Sequence, residues 1–300
     1  MKLQRGQSIG LLLITVAICL VSLSSAQGQA SLLVEGTTVQ RNGMSGASIC
    51  QATAASAPLR NAFRQACLRK PPTLADSAIP KTIIIGFVGG FVKRDNAKHP
   101  EVQFAAYLRD RYPSAIDAEV FSNHDGQKAL RQVLRLLASD HNGPPTVAEK
   151  SQARIIIYGH SWGASETVAF AKELGENNIP VLTIQVDTIA KPGQSGSTIS
   201  PNVVRAVNFY QPRGLLHGRS EIYAADPVRT KIIGNFRMTY EHPINCDNYP
   251  WYARTFNRPH HEIENDPRVW DQAASLIDAE LSSPGSTAQA VPPSQSALLK

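Results

Sequence analysis

Short apolar runs alternate with helix-like segments between residues 81 and 187, and this alternation constrains the fold more than any other feature. The strand-like runs are KTIIIGF (81–87), AIDAEVFS (115–122), ARIIIY (153–158) and PVLTIQVD (180–187). The intervening segments space their apolar residues at helical intervals, as in GQKALRQVLRLLASD (126–140). This order is typical of a parallel sheet covered by helices on both faces. We therefore predict an α/β fold with a mostly parallel sheet.

The rest of the chain completes one domain. Two further strands and a closing helix are predicted for NVVRAVNFYQ (202–211), TKIIGNFRMTYE (230–241) and DPRVWDQAASLIDAEL (266–281). Asp266 is the expected N-cap of the helix, with Pro267 in its first turn. The 300 residues are 42% hydrophobic, enough for a sizeable core. We predict a single domain over residues 81–281 and a disordered Ser/Pro/Ala-rich tail over 282–300.

The N-terminus has the order of a secretory signal peptide. Lys2 and Arg5 precede LLLITVAICLVSL, and the small residues SSAQGQA follow. The apolar run is shorter than the roughly 20 residues of a spanning helix. We therefore expect residues 1–30 to be removed after Ala26 or Ala30, export to the periplasm or medium, and no stable membrane anchor.

Three cysteines remain after the leader. Residues 31–80 are predicted to form an N-terminal arm with a helix, SAPLRNAFRQAC, and this helix lies between Cys50 and Cys67. We expect these two cysteines to form a disulfide. Cys246 would then be an unpaired buried thiol, since no cysteine-protease signature surrounds it.

Several ligand classes lack a signal. The net charge is +6, but the basic residues are scattered and form no basic helix, so we expect no nucleic-acid partner. The chain contains no HExxH or CxxC pattern, and GFVGGF lacks the lysine and serine of a phosphate-binding loop. Motifs thus indicate neither a metal nor a cofactor.

The sequence Gly-His-Ser-Trp-Gly (159–163) follows a predicted buried strand and precedes a predicted helix. A sharp strand-to-helix turn of this kind lifts a serine hydroxyl clear of the sheet, and glycines on either side avoid clashes. IIIYGHSWG resembles the nucleophile elbow of the α/β-hydrolases, and the resemblance extends over residues 82–281. It implies the α/β-hydrolase fold, a small ester or acyl substrate, and Ser161 as nucleophile with an acid and a histidine later in the chain.

Asp187 is the expected acid because it ends the first strand after the elbow helix. Carboxyl ends of parallel strands meet at one edge, where ligands of open α/β sheets bind. This placement resembles that in relatives of pancreatic lipase, whereas most α/β-hydrolases carry the acid after the following strand. That strand here ends in Gln211, with no acid close behind. Asp226 is the alternative.

Two adjacent histidines compete for the role of base. His260 and His261 are expected in a loop just before the last helix. The family spacing from histidine to helix-opening proline, counted back from Pro267, selects His260, and a shift of one residue would select His261. His217 and His242 are expected in turns or on the surface, and His160 beneath the site.

The oxyanion donors are expected to be backbone amides. The resemblance indicates Trp162, the residue after the nucleophile, and Gly89 in the loop GFVGGF, with Val88 and Gly90 as alternatives. An apolar acyl pocket is predicted from aromatic residues near the rim: Phe87, Phe91, Trp162, Tyr210 and Trp251. The segment 190–202 is expected to be flexible and to overhang the site.

These residues together predict an exported serine hydrolase that cleaves carboxylic esters. The same machinery would serve a thioesterase, an amidase or a lipase. A binding protein that kept the scaffold but lost catalysis is the alternative from another class.

Overall fold

A computed structural model describes residues 82–139 and 143–282. All of them belong to one unit of tertiary contacts. The predicted signal peptide, N-terminal arm, Cys50–Cys67 disulfide and C-terminal tail beyond Ser282 lie outside the described residues. Within these residues no helix combines the length and the apolar character needed to cross a membrane.

The sheet has six strands, all parallel, in the order β2-β1-β3-β4-β6-β8. The predicted α/β class is thereby confirmed. The strands are β1 Thr82–Val88, β2 Ile116–Ser122, β3 Ile155–His160, β4 Val181–Val186, β6 Val203–Tyr210 and β8 Lys231–Arg237. A separate parallel pair joins β5 Thr198–Ile199 to β7 Tyr223–Ala224.

The described helices include all those that the sequence predicts in this region. They are α1 Pro100–Arg111, α2 Gly126–Leu137, α3 Val147–Ser151, α4 Trp162–Glu176, α5 Trp251–Phe256, α6 Arg258–Glu264 and α7 Pro267–Ser282. As expected, the Asp266 carboxylate accepts a hydrogen bond from an amide in the first turn of α7, that of Arg268, at 2.9 Å. Helix α7 extends to Ser282, one residue into the predicted tail.

The two faces of the sheet bury separate apolar cores. Successive strand residues point to opposite faces, so Ile83 and Ile85 contact one core and Ile84 the other. One core packs the strands against α2 and α4, through residues such as Val133, and the other against α1 and α7, through residues such as Trp270. Helices thus cover both faces, as the continuous apolar runs of β1 and β3 predict.

Two expectations from the sequence are wrong. His260 and His261 lie in helix α6 and not in a loop. Pro259 occupies the first turn of this helix, where proline is well tolerated. Phe87 is fully buried between Phe121 and Phe170 and does not line a rim. Ile83, Ile85 and Phe87 occupy alternate positions of β1, so their side chains point to the same face of the sheet, the one that α4 covers.

Helix α4 packs directly on the backbone of the sheet. A Cβ atom on Gly159 would lie 2.5 Å from the carbonyl group of Gly163, and one on Gly163 would lie 2.1 Å from the Phe87 carbonyl oxygen. Real Cβ atoms essentially never approach other atoms below 3.0 Å. Both glycines are therefore required by close packing between α4, β1 and β3.

We predict that Gly163→Ala destabilises the fold, because the added methyl group must push α4 away from β1. The free energy of unfolding in urea should fall by about 1–3 kcal/mol, as for other overpacked sites. Gly143→Ala is the matched control, since its methyl group would meet no atom of the described residues within 4 Å. Equal stabilities of the two variants would contradict the close packing.

Candidate active site

Ser161 occupies the turn between β3 and α4. Its backbone has φ 58° and ψ −122°, in the left-handed half of the map that residues with side chains rarely adopt. The turn is fixed from below, since the Ser161 amide donates to the Val186 carbonyl at 3.0 Å. The sequence expectation of a sharp strand-to-helix turn at this serine is confirmed.

His260 connects Ser161 to Asp187. Its Nε2 lies 2.9 Å from Ser161 Oγ, and its Nδ1 lies 2.7 Å from Asp187 Oδ2. A carboxylate only accepts hydrogen bonds, so Nδ1 carries the proton that is donated to Asp187. Nε2 then presents a lone pair to the Ser161 hydroxyl. The three residues form one hydrogen-bonded chain with the polarity that serine deprotonation requires.

Asp187 follows β4 and is held by donors that sequence reasoning missed. Its Oδ1 accepts from the amides of Gln211 at 3.1 Å and Gly218 at 2.8 Å, and its Oδ2 accepts from Gln211 Nε2 at 2.9 Å. Burial acts to raise the pKa of Asp187, but the hydrogen bond and charge of His260 and the Gln211 donors outweigh it and lower the pKa. Asp187 therefore stays ionised. The sequence signal for these donors was Gln211, a residue with an amide side chain that directly follows the neighbouring strand, β6.

The alternatives for acid and base lie elsewhere. Asp226 is half-buried and accepts a hydrogen bond from Val228 within a turn. His217 and His242 are exposed, as expected.

His261 stacks on Tyr249, with ring centroids 3.6 Å apart. Neither nitrogen of His261 has a hydrogen-bond partner among the described residues. Burial lowers the pKa of His261 to about 3, so its ring is neutral at ordinary pH. Adjacent positions on α6 point in different directions, and of the two rings only that of His260 bonds Ser161 and Asp187.

Cys246 is a buried free thiol, as expected for an unreactive cysteine. Its Sγ lies 3.4 Å from the Ile244 carbonyl oxygen. Burial raises the pKa of Cys246 to about 12, so almost none of it is thiolate at neutral pH.

The loop after β1 lies against the serine. A Cβ atom on Gly89 would be 3.2 Å from Ser161 Cβ, and Asn123 Nδ2 fixes the loop by donating to the Val88 and Gly90 carbonyls at 3.2 and 2.5 Å. The Gly89 amide also faces the buried Glu101 carboxylate. Gly89 lies against Ser161 but its amide faces Glu101, so the neighbouring Gly90 stays a candidate for the oxyanion donor beside Gly89. The amide of Trp162 opens helix α4 directly after Ser161.

A partly exposed aromatic pair, Phe91 and Trp162, lies beside the serine. Phe91 is 66% exposed and contacts the Trp162 ring edge-on, with centroids 5.6 Å apart. The segment 190–202 is attached to the first turns of α4, since Ser165 Oγ donates to Gln194 at 2.6 Å and Lys191 pairs with Glu166. The site thus has an apolar surface on one side and a tethered segment on another.

A polar cluster lies beneath the site. His160 is buried, and its Nε2 lies 3.2 Å from the His260 carbonyl oxygen, in agreement with the expected supporting role. Below it, one ligand atom each from His99, Glu101 and Glu264 lie within 4.8 Å of one another. Sequence reasoning missed these three residues, because they come from separate parts of the chain. They are the described side chains best placed to hold a metal ion.

Comparison with protein-family models and with curated protein sequences gave no match to this chain. The chemistry of the site must therefore be inferred from its own geometry. That geometry provides a hydroxyl group bonded to a basic nitrogen, a buried carboxylate that fixes the ring, and amides close to the hydroxyl. Such a set is suited to attack on an acyl carbon.

We predict that His261→Phe makes stability less dependent on pH. The folded-state pKa of about 3 lies below the ordinary value of about 6.5, so only the unfolded chain gains this proton as the pH falls between these values. Stability is then lost toward acid, and phenylalanine removes that loss while keeping the stack on Tyr249. Urea unfolding from pH 7.5 to 4.5 measures it. If the unfolding free energies of the wild type and the variant changed in parallel with pH below 6.5, the prediction would be wrong.

Proposed function

We propose that this chain is a serine hydrolase with the α/β-hydrolase fold that cleaves carboxylic esters through an acyl-enzyme. In this proposal Ser161 is the nucleophile, His260 the general base and Asp187 the residue that orients the imidazole. The observation that carries it is the hydrogen-bonded chain Asp187–His260–Ser161, with distances of 2.7 and 2.9 Å.

The proposed reaction has two halves. Ser161 Oγ attacks the ester carbonyl carbon while His260 Nε2 takes the hydroxyl proton, and His260 returns that proton to the departing alcohol. Water then attacks the acyl-enzyme, with His260 again accepting the proton, and the acid leaves. Asp187 stays ionised throughout because its pKa is lowered, and it stabilises the imidazolium between the two proton transfers.

Backbone amides close to Ser161 also support the proposal. Ser161 follows β3, and the loop after the neighbouring strand β1 lies against it. In the proposal, the amide of Trp162 and that of Gly89 or Gly90 stabilise the oxyanion. This strand order also supports the α/β-hydrolase fold, since the family places the nucleophile and the oxyanion loop after adjacent strands.

An ester with an apolar acyl group is the favoured substrate because the exposed Phe91 packs on the half-buried Trp162, the residue after Ser161. A lipase, a thioesterase or an amidase would use the same residues. Rates on p-nitrophenyl esters of increasing acyl length, with a thioester and an anilide of the best acyl group, distinguish these activities. The signal-like leader supports export as the setting of the reaction.

We predict that Ser161→Ala abolishes hydrolysis of a short p-nitrophenyl ester, because the hydroxyl that forms the acyl-enzyme is removed. The rate should fall by about 10⁴-fold or more. A fluorophosphonate probe should label the wild type and not the variant. Circular dichroism verifies that the variant is folded. A wild-type protein that neither turns over esters nor reacts with the probe would favour the binding-protein alternative.

We predict that His260→Ala and His261→Phe differ sharply in activity. His260→Ala removes the proton acceptor and should lower the hydrolysis rate by several orders of magnitude. His261→Phe, which leaves the hydrogen-bonded chain intact, should keep the rate within about 10-fold of the wild type. The reverse ranking would assign the base to His261, and two active variants would contradict the mechanism.

A further inference from the structure

The polar cluster beneath the site consists of His99, Glu101, His160 and Glu264. His99 is the N-cap of α1, Glu101 lies in the first turn of that helix, Glu264 ends α6, and His160 ends β3. Their exposures are 4%, 0%, 1% and 0%. Four groups that bind protons or metals are thus buried together, outside the hydrogen-bonded chain of Ser161.

Three atoms of this cluster present lone pairs to one another. Among the described residues, no well-aligned hydrogen bond reaches either oxygen of Glu101 or Nδ1 of His160, although the Gly89 amide and Glu264 face the Glu101 carboxylate. His160 Nε2 faces the His260 carbonyl, which can only accept, so Nε2 carries the ring proton and Nδ1 is bare. This Nδ1 lies 3.7 Å from Glu101 Oε1 and 3.8 Å from Glu264 Oε2. A proton or a metal cation is required between these atoms.

No lysine or arginine of the described chain forms an ion pair with Glu101 or Glu264. Glu264 is bonded instead by His99 Nδ1 at 2.8 Å and by the Tyr249 hydroxyl at 2.5 Å. Two buried carboxylates without a cation are too costly, so the pair must take up either a proton or a metal ion.

The size and donors of the cluster fit a metal ion. Zinc binds imidazole nitrogen and carboxylate oxygen at about 2.0–2.2 Å, which puts tetrahedral ligand atoms about 3.3 Å apart. The ligand atoms of His99, Glu101 and Glu264 already lie within 4.8 Å of one another. His160 Nδ1, at 3.7 and 3.8 Å from the two carboxylates, must move closer to join them, and the 2.8 Å bond of His99 must open. Calcium is a poor fit because it requires six to eight oxygen ligands, and magnesium keeps several waters.

We propose that His99, Glu101, His160 and Glu264 bind one divalent transition-metal ion, with Zn²⁺ as the preferred occupant. The two carboxylates balance the charge of the ion, and Nδ1 of each histidine completes four ligands. His99 must then move its ring proton from Nδ1 to Nε2. Because His160 precedes Ser161 and contacts the backbone of His260, the ion would tie α1, α6 and the elbow together.

The test uses the full chain, purified without chelator, then stripped with a chelator and titrated with ZnCl₂. We expect one zinc per chain by mass spectrometry of the metal content. Saturating zinc should raise Tm by about 5 °C or more. CaCl₂ should raise it by far less. A wild-type protein that holds no zinc and whose Tm does not respond to zinc would overturn the proposal in favour of a shared proton.

Variants locate the ion. Glu101→Gln and Glu264→Gln should each weaken zinc binding by about 10-fold or more. Glu262→Gln is the matched control: it is buried on the same helix as Glu264 but pairs with Arg258, and it should bind like the wild type. Equal zinc affinity in all three variants would place the ion elsewhere and refute the site.

A spectroscopic measurement covers the case in which the glutamine variants fail to fold. X-ray absorption of the wild-type zinc protein should show only nitrogen and oxygen ligands, with imidazole scattering. A sulfur ligand would overturn the assignment. Ser161→Ala should bind zinc as the wild type does, so this proposal stands or falls separately from the ester hydrolase.

Discussion

Direct packing of helix α4 on the backbone of β1 and β3 is the constraint on which the rest of the site depends. Gly159 and Gly163 permit it, because any side chain at either position would overlap a main-chain carbonyl group. The short join leaves Ser161 in a left-handed conformation and starts α4 immediately after it. The same packing brings the end of β1 against the turn, so Gly89 lies next to the serine. A few close backbone contacts therefore set the separation of the hydroxyl from its surrounding amides.

The parallel sheet supplies the other groups from strand ends that lie side by side. Ser161, Asp187 and Gln211 follow β3, β4 and β6, which are neighbours in the sheet. Each residue can therefore reach the next without a long connection. His260 comes from α6, far along the chain, and closes the arrangement. The Gln211 side chain follows the strand next to β4 and donates a hydrogen bond to Asp187.

The two buried carboxylates nearest the elbow show how environment decides charge. Asp187 accepts four hydrogen bonds, and they overcome the cost of burial and lower its pKa. Glu101 receives no well-aligned hydrogen bond among the described residues and faces Glu264, so burial and the charge of Glu264 raise its pKa. One group is thus fixed as an anion, and the other needs a cation beside it. His160 lies between the two environments and contacts the backbone of His260.

The sequence by itself determined the class of fold, because apolar runs of strand length alternating with amphipathic helices have few other ways to bury their side chains. It also singled out Ser161 and Asp187, since a strand–turn–helix motif and a strand end are local features, and it left His260 and His261 as the two candidates for the base. Only the tertiary structure decided that His260 and His261 lie on a helix, that Gln211 and Gly218 hold Asp187, and that His99, Glu101 and Glu264 meet beneath Ser161. These contacts join residues up to 165 positions apart. They depend on how helices and strands pack, which no local pattern of residues records.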